Sequence, residues 1–186
     1  MRIEAVASSR IEGTRTSLDE LLASEAGGKT EAEQLDVREV QNYIDALEHG
    51  LRRLVDLPVC ARLVRELHEL LLRGVRGDRY TPGRFRSGQV FIGTGGGIGN
   101  AAYIPPPPAF VAELVAEWER YVSEPPARLS PLIHCGLMHY QFEAIHPFFD
   151  GNGRVGRLLI VLLLCERGVL SHPLLYLSPY LEEHRS

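Results

Sequence analysis

Apolar residues recur along most of this chain at the spacing of amphipathic helices. Val37, Val40, Ile44, Leu47 and Leu51 fall three or four positions apart and predict one helix face. Leu63, Val64, Leu67, Leu70 and Leu71 predict a second helix, opened by Pro58 and closed ahead of Gly74. Phe110, Leu114, Trp118 and Tyr121 mark a third, entered from the prolines at 105–108, and Pro131 opens a fourth over residues 132–145. Residues 158–164 are all Leu, Ile or Val, which predicts a helix buried on most sides at the centre of the domain. That run is too short to span a bilayer and is flanked by Arg157, Glu166 and Arg167. Near the N-terminus, residues 5–11 read as a short helix carrying Glu12 at its end. Ser17 with Glu20 three residues later is a capping box opening a brief helix through Leu22. Residues 24–30, with Gly27 and Gly28, read as a loop that lets the first segment pack separately, and a last helix begins near Pro179.

Residues 83–104 break the helical pattern. Val90-Phe91-Ile92 and Ala102-Tyr103-Ile104 are short β-prone runs on either side of a glycine-rich tip at 93–100, which predicts a hairpin. Gly97, Gly99 and Ala102 fit a loose dinucleotide-binding pattern, but that reading needs a helix at once, and the prolines at 105–108 forbid one there. The expected fold class is therefore all-α, with one small β-hairpin.

Composition narrows the class further. The 186 residues are 45% hydrophobic and suit a single globular domain with a sizeable core. A net charge of -4 argues against a general nucleic-acid coat. Cys60, Cys135 and Cys165 lie far apart without zinc-type spacing, which points to free thiols in a reducing cytoplasm. The first residues carry no apolar signal core, and nothing addresses a membrane.

The chemistry concentrates in residues 146–157. Gly151 and Gly153 let the backbone approach a ligand closely, and their amides, with that of Asn152, can point at phosphate oxygens from a helix start. Arg154 and Arg157 are three apart, neighbours on the first helical turn, and two guanidinium forks there suit the β- and γ-phosphates of a nucleotide. Asp150 is a hard oxygen ligand for Mg²⁺ shared with those phosphates. His146, with an ordinary pKa near ~6.5, can take a proton from an attacking hydroxyl near neutrality. Phe148 or Phe149 pins the loop to the core.

This run resembles the signature of the Fic (Fic/Doc) family, His-x-Phe-x-(Asp/Glu)-Gly-Asn-Gly-Arg-x-x-Arg, with every defined position filled. The resemblance implies a Fic-type helical bundle and transfer of AMP from ATP to a protein hydroxyl. On this chain it makes His146 the general base and Phe148 the core anchor. Asp150 becomes the Mg²⁺ ligand, Gly151, Asn152 and Gly153 the anion hole, and Arg154 and Arg157 the holders of the distal phosphates. Ser8-Ser9-Arg10-Ile11-Glu12-Gly13 also resembles the family's inhibitory motif, which implies that Glu12 sits against Arg157 and blocks productive γ-phosphate binding. Residues 1–30 would then be an N-terminal inhibitory helix segment and 31–186 the core, with the catalytic loop and helix at 146–168. Residues 84–104 would be the flap, where Val90, Phe91 and Ile92 cover the nucleotide or pair with an extended protein target, this chain itself included. A homodimer is among the assemblies this reading allows. Three rivals remain: removal of AMP through the same site, transfer of another phosphate-containing group, and a silent module that senses nucleotides or docks a partner.

The other histidines offer less. His134 and His139 are five apart and share no metal-binding face, so they read, like His68 and His172, as structural or solvent-facing. Arg62, Arg65, Glu66 and Glu69 read as the solvated face of a helix.

Overall fold

The computed structural model describes residues 1–24, 31–93, 98–124 and 128–184. Among them the chain is helical: α1 (Arg2–Ile11), α2 (Leu18–Ser24), α3 (Glu31–Arg53), α4 (Ala61–Leu72), α5 (Pro108–Ser123), α6 (Pro131–Ile145), α7 (Asn152–Glu166) and α8 (Leu177–Glu183). Two 3₁₀ turns, Asp78–Tyr80 and Ile98–Asn100, were not foreseen from the pattern. The all-apolar run lies in α7, where Leu158, Leu159, Ile160, Val161, Leu162, Leu163 and Leu164 are all buried. α7 packs on α6, α4, α3 and α1, so the helix that begins at the phosphate turn is also the middle of the core. Trp118 on α5 is fully buried beside Phe142 and donates its indole N–H to the Met138 carbonyl at 3.1 Å, tying α5 to α6. No helix of the described residues is long and apolar enough to cross a membrane.

Helix starts depart from the pattern where another helix supplies the cap. α4 starts at Ala61 rather than Pro58, because Cys60 is extended and Glu119 on α5 accepts the Ala61 N–H at 3.1 Å. α8 starts at Leu177, two residues ahead of Pro179, where the Glu4 carboxylate of α1 accepts the Ser178 N–H at 3.0 Å. The Ser17–Glu20 box closes reciprocally, with Ser17 N to Glu20 Oε2 at 2.7 Å and Glu20 N to Ser17 Oγ at 3.1 Å. Most of the expected 24–30 loop lies outside the described residues.

The hairpin needs correction. Among the described residues the two β-prone runs meet only at one antiparallel bridge, Ile92 with Tyr103, and no strand forms. Ile92 N donates to Tyr103 O at 2.8 Å and Tyr103 N returns to Ile92 O at 3.1 Å, while Ala102 N also takes that Ile92 oxygen at 2.8 Å, so pairing stops at one reciprocal pair. The Gln89 side-chain amide takes the Val90 and Pro105 carbonyls, at 3.0 and 2.8 Å, that further pairing would need. Residues 94–97 of the glycine-rich tip lie outside the described residues.

Candidate active site

α6 delivers His146 as its C-cap in the left-handed region, φ 49 and ψ 62, a conformation that a non-glycine residue holds only when its surroundings impose it. Arg86 does so. Its Nε donates to the His146 carbonyl at 2.8 Å, its Nη2 reaches the Ile145 and Pro106 carbonyls, and its backbone N–H donates to Pro147 at 2.9 Å. The next residues are locked from both sides. Phe148 is fully buried and stacks on His68 with ring centroids 3.7 Å apart, which settles the choice between the two phenylalanines; Phe149 lies outside, near Tyr80. The Asn152 side chain accepts from Phe148 N and donates to Phe148 O, both at 2.9 Å, so it braces the loop and leaves only its backbone amide for a ligand.

His68 reaches the same loop from α4. Its Nδ1 accepts the Gly83 N–H at 2.8 Å, so its Nε2 carries the proton and donates to the Asp150 carbonyl at 3.0 Å. Burial pushes its pKa down to about 4, consistent with a neutral ring in that role.

The candidate phosphate turn starts at Gly151, whose φ of 78 suits glycine alone. Val155 N to Gly151 O, 3.0 Å, is the bond that closes the first turn of α7, so the amides of Asn152, Gly153 and Arg154 precede the helical ladder at its positive end. Both arginines are buried, with 5% and 7% of the Arg154 and Arg157 side chains exposed. They differ in company. Arg154 lies 3.8 Å from Asp150 and 3.9 Å from Glu39, and its buried Nε and Nη1 make no hydrogen bond. Arg157 is held on one side: its Nε donates to Ser8 Oγ at 2.7 Å, and its Nη2 to Ser8 O at 3.0 Å and Glu12 Oε1 at 2.8 Å. A Cβ on Gly153 would collide with Glu12 Oε1 and lie 2.9 Å from Arg157 Nη1, so the carboxylate rests directly on the start of α7.

Asp150 is the open acid of the turn, with 40% of its side chain exposed. Among the described residues no group of three His, Cys, Asp or Glu could hold a metal. Asp150 Oδ1 accepts the Gly151 N–H at 2.6 Å, so of the expected anion hole that amide is already taken and those of Asn152 and Gly153 remain. A single accessible carboxylate still fits Mg²⁺, which takes most of its ligands from phosphate and water.

Burial pulls the His146 pKa below its ordinary value; the Glu143 carbonyl beside the ring opposes this and the Arg86 charge adds to it. Glu143 was not anticipated. Burial raises its carboxyl to about 7, against the pull of Arg157, and its Oε1 crowds Gly156, where α6 and α7 cross. Glu39, His68 and Arg86 were likewise not assigned to the site, and Ser8 was named only as the first position of the inhibitory motif. Of the first three, His68 left a trace, as a histidine within the apolar stripe of α4.

The family model for the Fic/DOC family matches residues 58–164, and that for its N-terminal region matches residues 1–52. The protein adenylyltransferase Fic of Drosophila sechellia is 33% identical over 156 residues, 83% of this chain but 29% of that protein. The chain thus spans under a third of the length of that curated relative. Among solved structures, a Fic family protein from Desulfovibrio desulfuricans is 30% identical with a TM-score of 0.79, over 98% of this chain and 53% of that one. A Fic domain-containing signaling protein from Bacteroides thetaiotaomicron, 22% identical, shares the fold at a TM-score of 0.71 over 90% of this chain and 63% of its own.

Proposed function

Since this chain belongs to the Fic/DOC family, we propose that its site moves AMP from Mg·ATP to a Ser, Thr or Tyr hydroxyl of a protein. The observation that carries this reading is Arg154, a buried guanidinium with two unbonded nitrogens next to the free amides of the α7 start. A phosphate supplies the acceptors these donors lack. His146 takes the hydroxyl proton as the oxygen attacks the α-phosphorus, the bond to the β-phosphate oxygen breaks, and pyrophosphate leaves. The amides of Asn152 and Gly153 stabilise charge that develops on the phosphates. Asp150 would hold the Mg²⁺, which supplies neutralisation of phosphate charge.

In this reading Glu12 keeps the chain silent by occupying the guanidinium of Arg157 that the γ-phosphate needs. The Drosophila sechellia relative is named for adenylyl transfer, which agrees with the class of reaction. The Glu12 carboxylate, lying over Gly153, is also placed to orient water against an AMP-modified substrate, which favours AMP removal as a second reading. Mass spectrometry of a Glu12→Gly chain incubated with ATP and Mg²⁺ tests the proposal. An AMP adduct on protein is expected. Nucleotide binding without an adduct would leave only a sensing module, and loss of AMP from a modified protein with the wild-type chain but not with Glu12→Gly would select the second reading.

Asp150→Ala is expected to abolish most of the gain in ATP affinity that Mg²⁺ brings, since the metal would have few other protein ligands. Calorimetric titration with and without Mg²⁺ measures it, and a wild-type magnesium gain in the variant would remove Asp150 from the metal site.

The target would dock at residues 84–104, where Phe91, Ile92, Tyr103 and Ile104 are exposed apolar residues next to the site. Val90→Pro, which removes an N–H available to an added strand, is expected to lower target modification several-fold more than ATP binding. Equal losses in the two assays would reduce this segment to a nucleotide cover.

A further inference from the structure

α1 carries Glu4 and Ser8 on one stripe, and Glu12 at its C-cap continues that stripe at the same spacing of four. The two ends of the stripe are fastened to different parts of the molecule. At the C-terminal end Ser8 and Glu12 hold Arg157. At the N-terminal end the Glu4 carboxylate, 2% exposed, accepts the Ser178 backbone N–H at 3.0 Å through Oε2 and the Ser178 hydroxyl through Oε1. Ser178 is the second residue of α8, so its amide has no partner within that helix, and its side chain is fully buried. Glu4 therefore caps α8 from another helix.

The packing of α1 points the same way. Glu4, Ala5, Val6, Ala7, Ser8 and Ser9 are all buried, and α1 packs more extensively on α8 and α3 than on α7. Its position is set away from Arg157. A helix transmits that position as a rod: at about 1.5 Å per residue, Glu4 and Glu12 sit roughly 12 Å apart on one stiff element. The 2.8 Å bond from Arg157 to Glu12 is lost by a shift of about an ångström at the far end.

We propose that Glu4 and Ser178 form a latch that fixes the register of α1 and so holds Glu12 on Arg157, with α8 as the element through which the site is released. Both are positioning residues, and the inference rests on the adenylyl-transfer reading above.

The test pairs labelled-ATP auto-modification with hydrogen exchange over α1. Glu4→Ala is expected to raise transfer about tenfold or more, a change in active population of the kind a lost buried contact produces, and to speed exchange of the α1 amides. Glu4→Gln keeps an oxygen for the Ser178 N–H and should remain as silent as wild type, whereas Glu4→Leu keeps the bulk without an acceptor and should be activated like Glu4→Ala, an outcome that loss of bulk packing does not predict. Added to Glu12→Gly, Glu4→Ala should give no further gain, because the latch acts only through Glu12. A silent Glu4→Ala beside an active Glu12→Gly, or an additive gain in the double variant, overturns the latch. Should Glu4→Ala fail to fold, Ser178→Ala removes only the hydroxyl bond and carries the same test with a smaller gain. Should Glu12→Gly itself transfer nothing, the transfer reading falls and exchange alone judges the latch: faster α1 exchange in Glu4→Ala but not Glu4→Gln supports it, and unchanged exchange overturns it.

Discussion

Replacing Glu12 by glycine is expected to raise AMP transfer on the order of a hundredfold, the scale on which misalignment of reacting atoms by about an ångström acts. The warrant is the way Arg157 is filled. Its Nε and one Nη2 hydrogen are held by Ser8, and Glu12 Oε1 takes the other Nη2 hydrogen, so the Nη1/Nη2 pair is closed as a fork for a γ-phosphate. ATP can still engage Arg154 and the α7 amides, but with its α-phosphorus out of line with the incoming hydroxyl. A third of the Glu12 side chain is open to water, so its removal releases Arg157 toward the cleft and leaves Ser8 to hold it in place. Auto-modification with labelled ATP should be near background in the wild type, high in Glu12→Gly, and low again in Glu12→Gly/Arg157→Ala. Unchanged labelling on removing Glu12 would falsify the inhibitory role and leave the contact as a structural ion pair.

His146→Ala in the Glu12→Gly background is expected to lower transfer by roughly 10²–10⁴-fold with ATP affinity nearly unchanged, as for loss of a general base. The ring is aimed by Arg86 through the carbonyl of His146 itself, so truncating the side chain leaves the loop braces of Asn152 and His68 intact. The pH profile adds a second check. The base form is the neutral imidazole, and burial lowers its pKa, so protonation silences it only below the ordinary value. Transfer by Glu12→Gly should therefore rise with pH and reach its plateau from an inflection below ~6.5. An inflection above that value, or full activity in His146→Ala, would move the proton to another group.

The candidate catalytic set was legible because it is local. The proposed base, acid, glycines and both arginines occupy residues 146–157, and the spacing of Arg154 and Arg157 alone places them on one turn of α7. The helices were legible for the same reason, since a 3.6-residue period needs no knowledge of the partner it faces. The β-prone runs at 90–92 and 102–104 misled because propensity ignores competitors, and the Gln89 amide takes carbonyls a ladder would have used.

What stayed hidden lies far along the chain. The partners of Arg157 are 149 and 145 residues away, and His68 reaches the Asp150 carbonyl across 82 residues. A motif could name Ser8 and Glu12, but nothing in linear order marks Arg86 or Glu143 as neighbours of the same loop. Helix starts at Ala61 and Leu177 likewise depend on carboxylates donated by other helices, Glu119 and Glu4. Element type and candidate chemistry follow from interactions within a turn or two of helix, which linear order contains. Caps, buried charges and the hold on Arg157 arise only when packing removes water and forces each polar group to find a partner, whichever part of the chain supplies it.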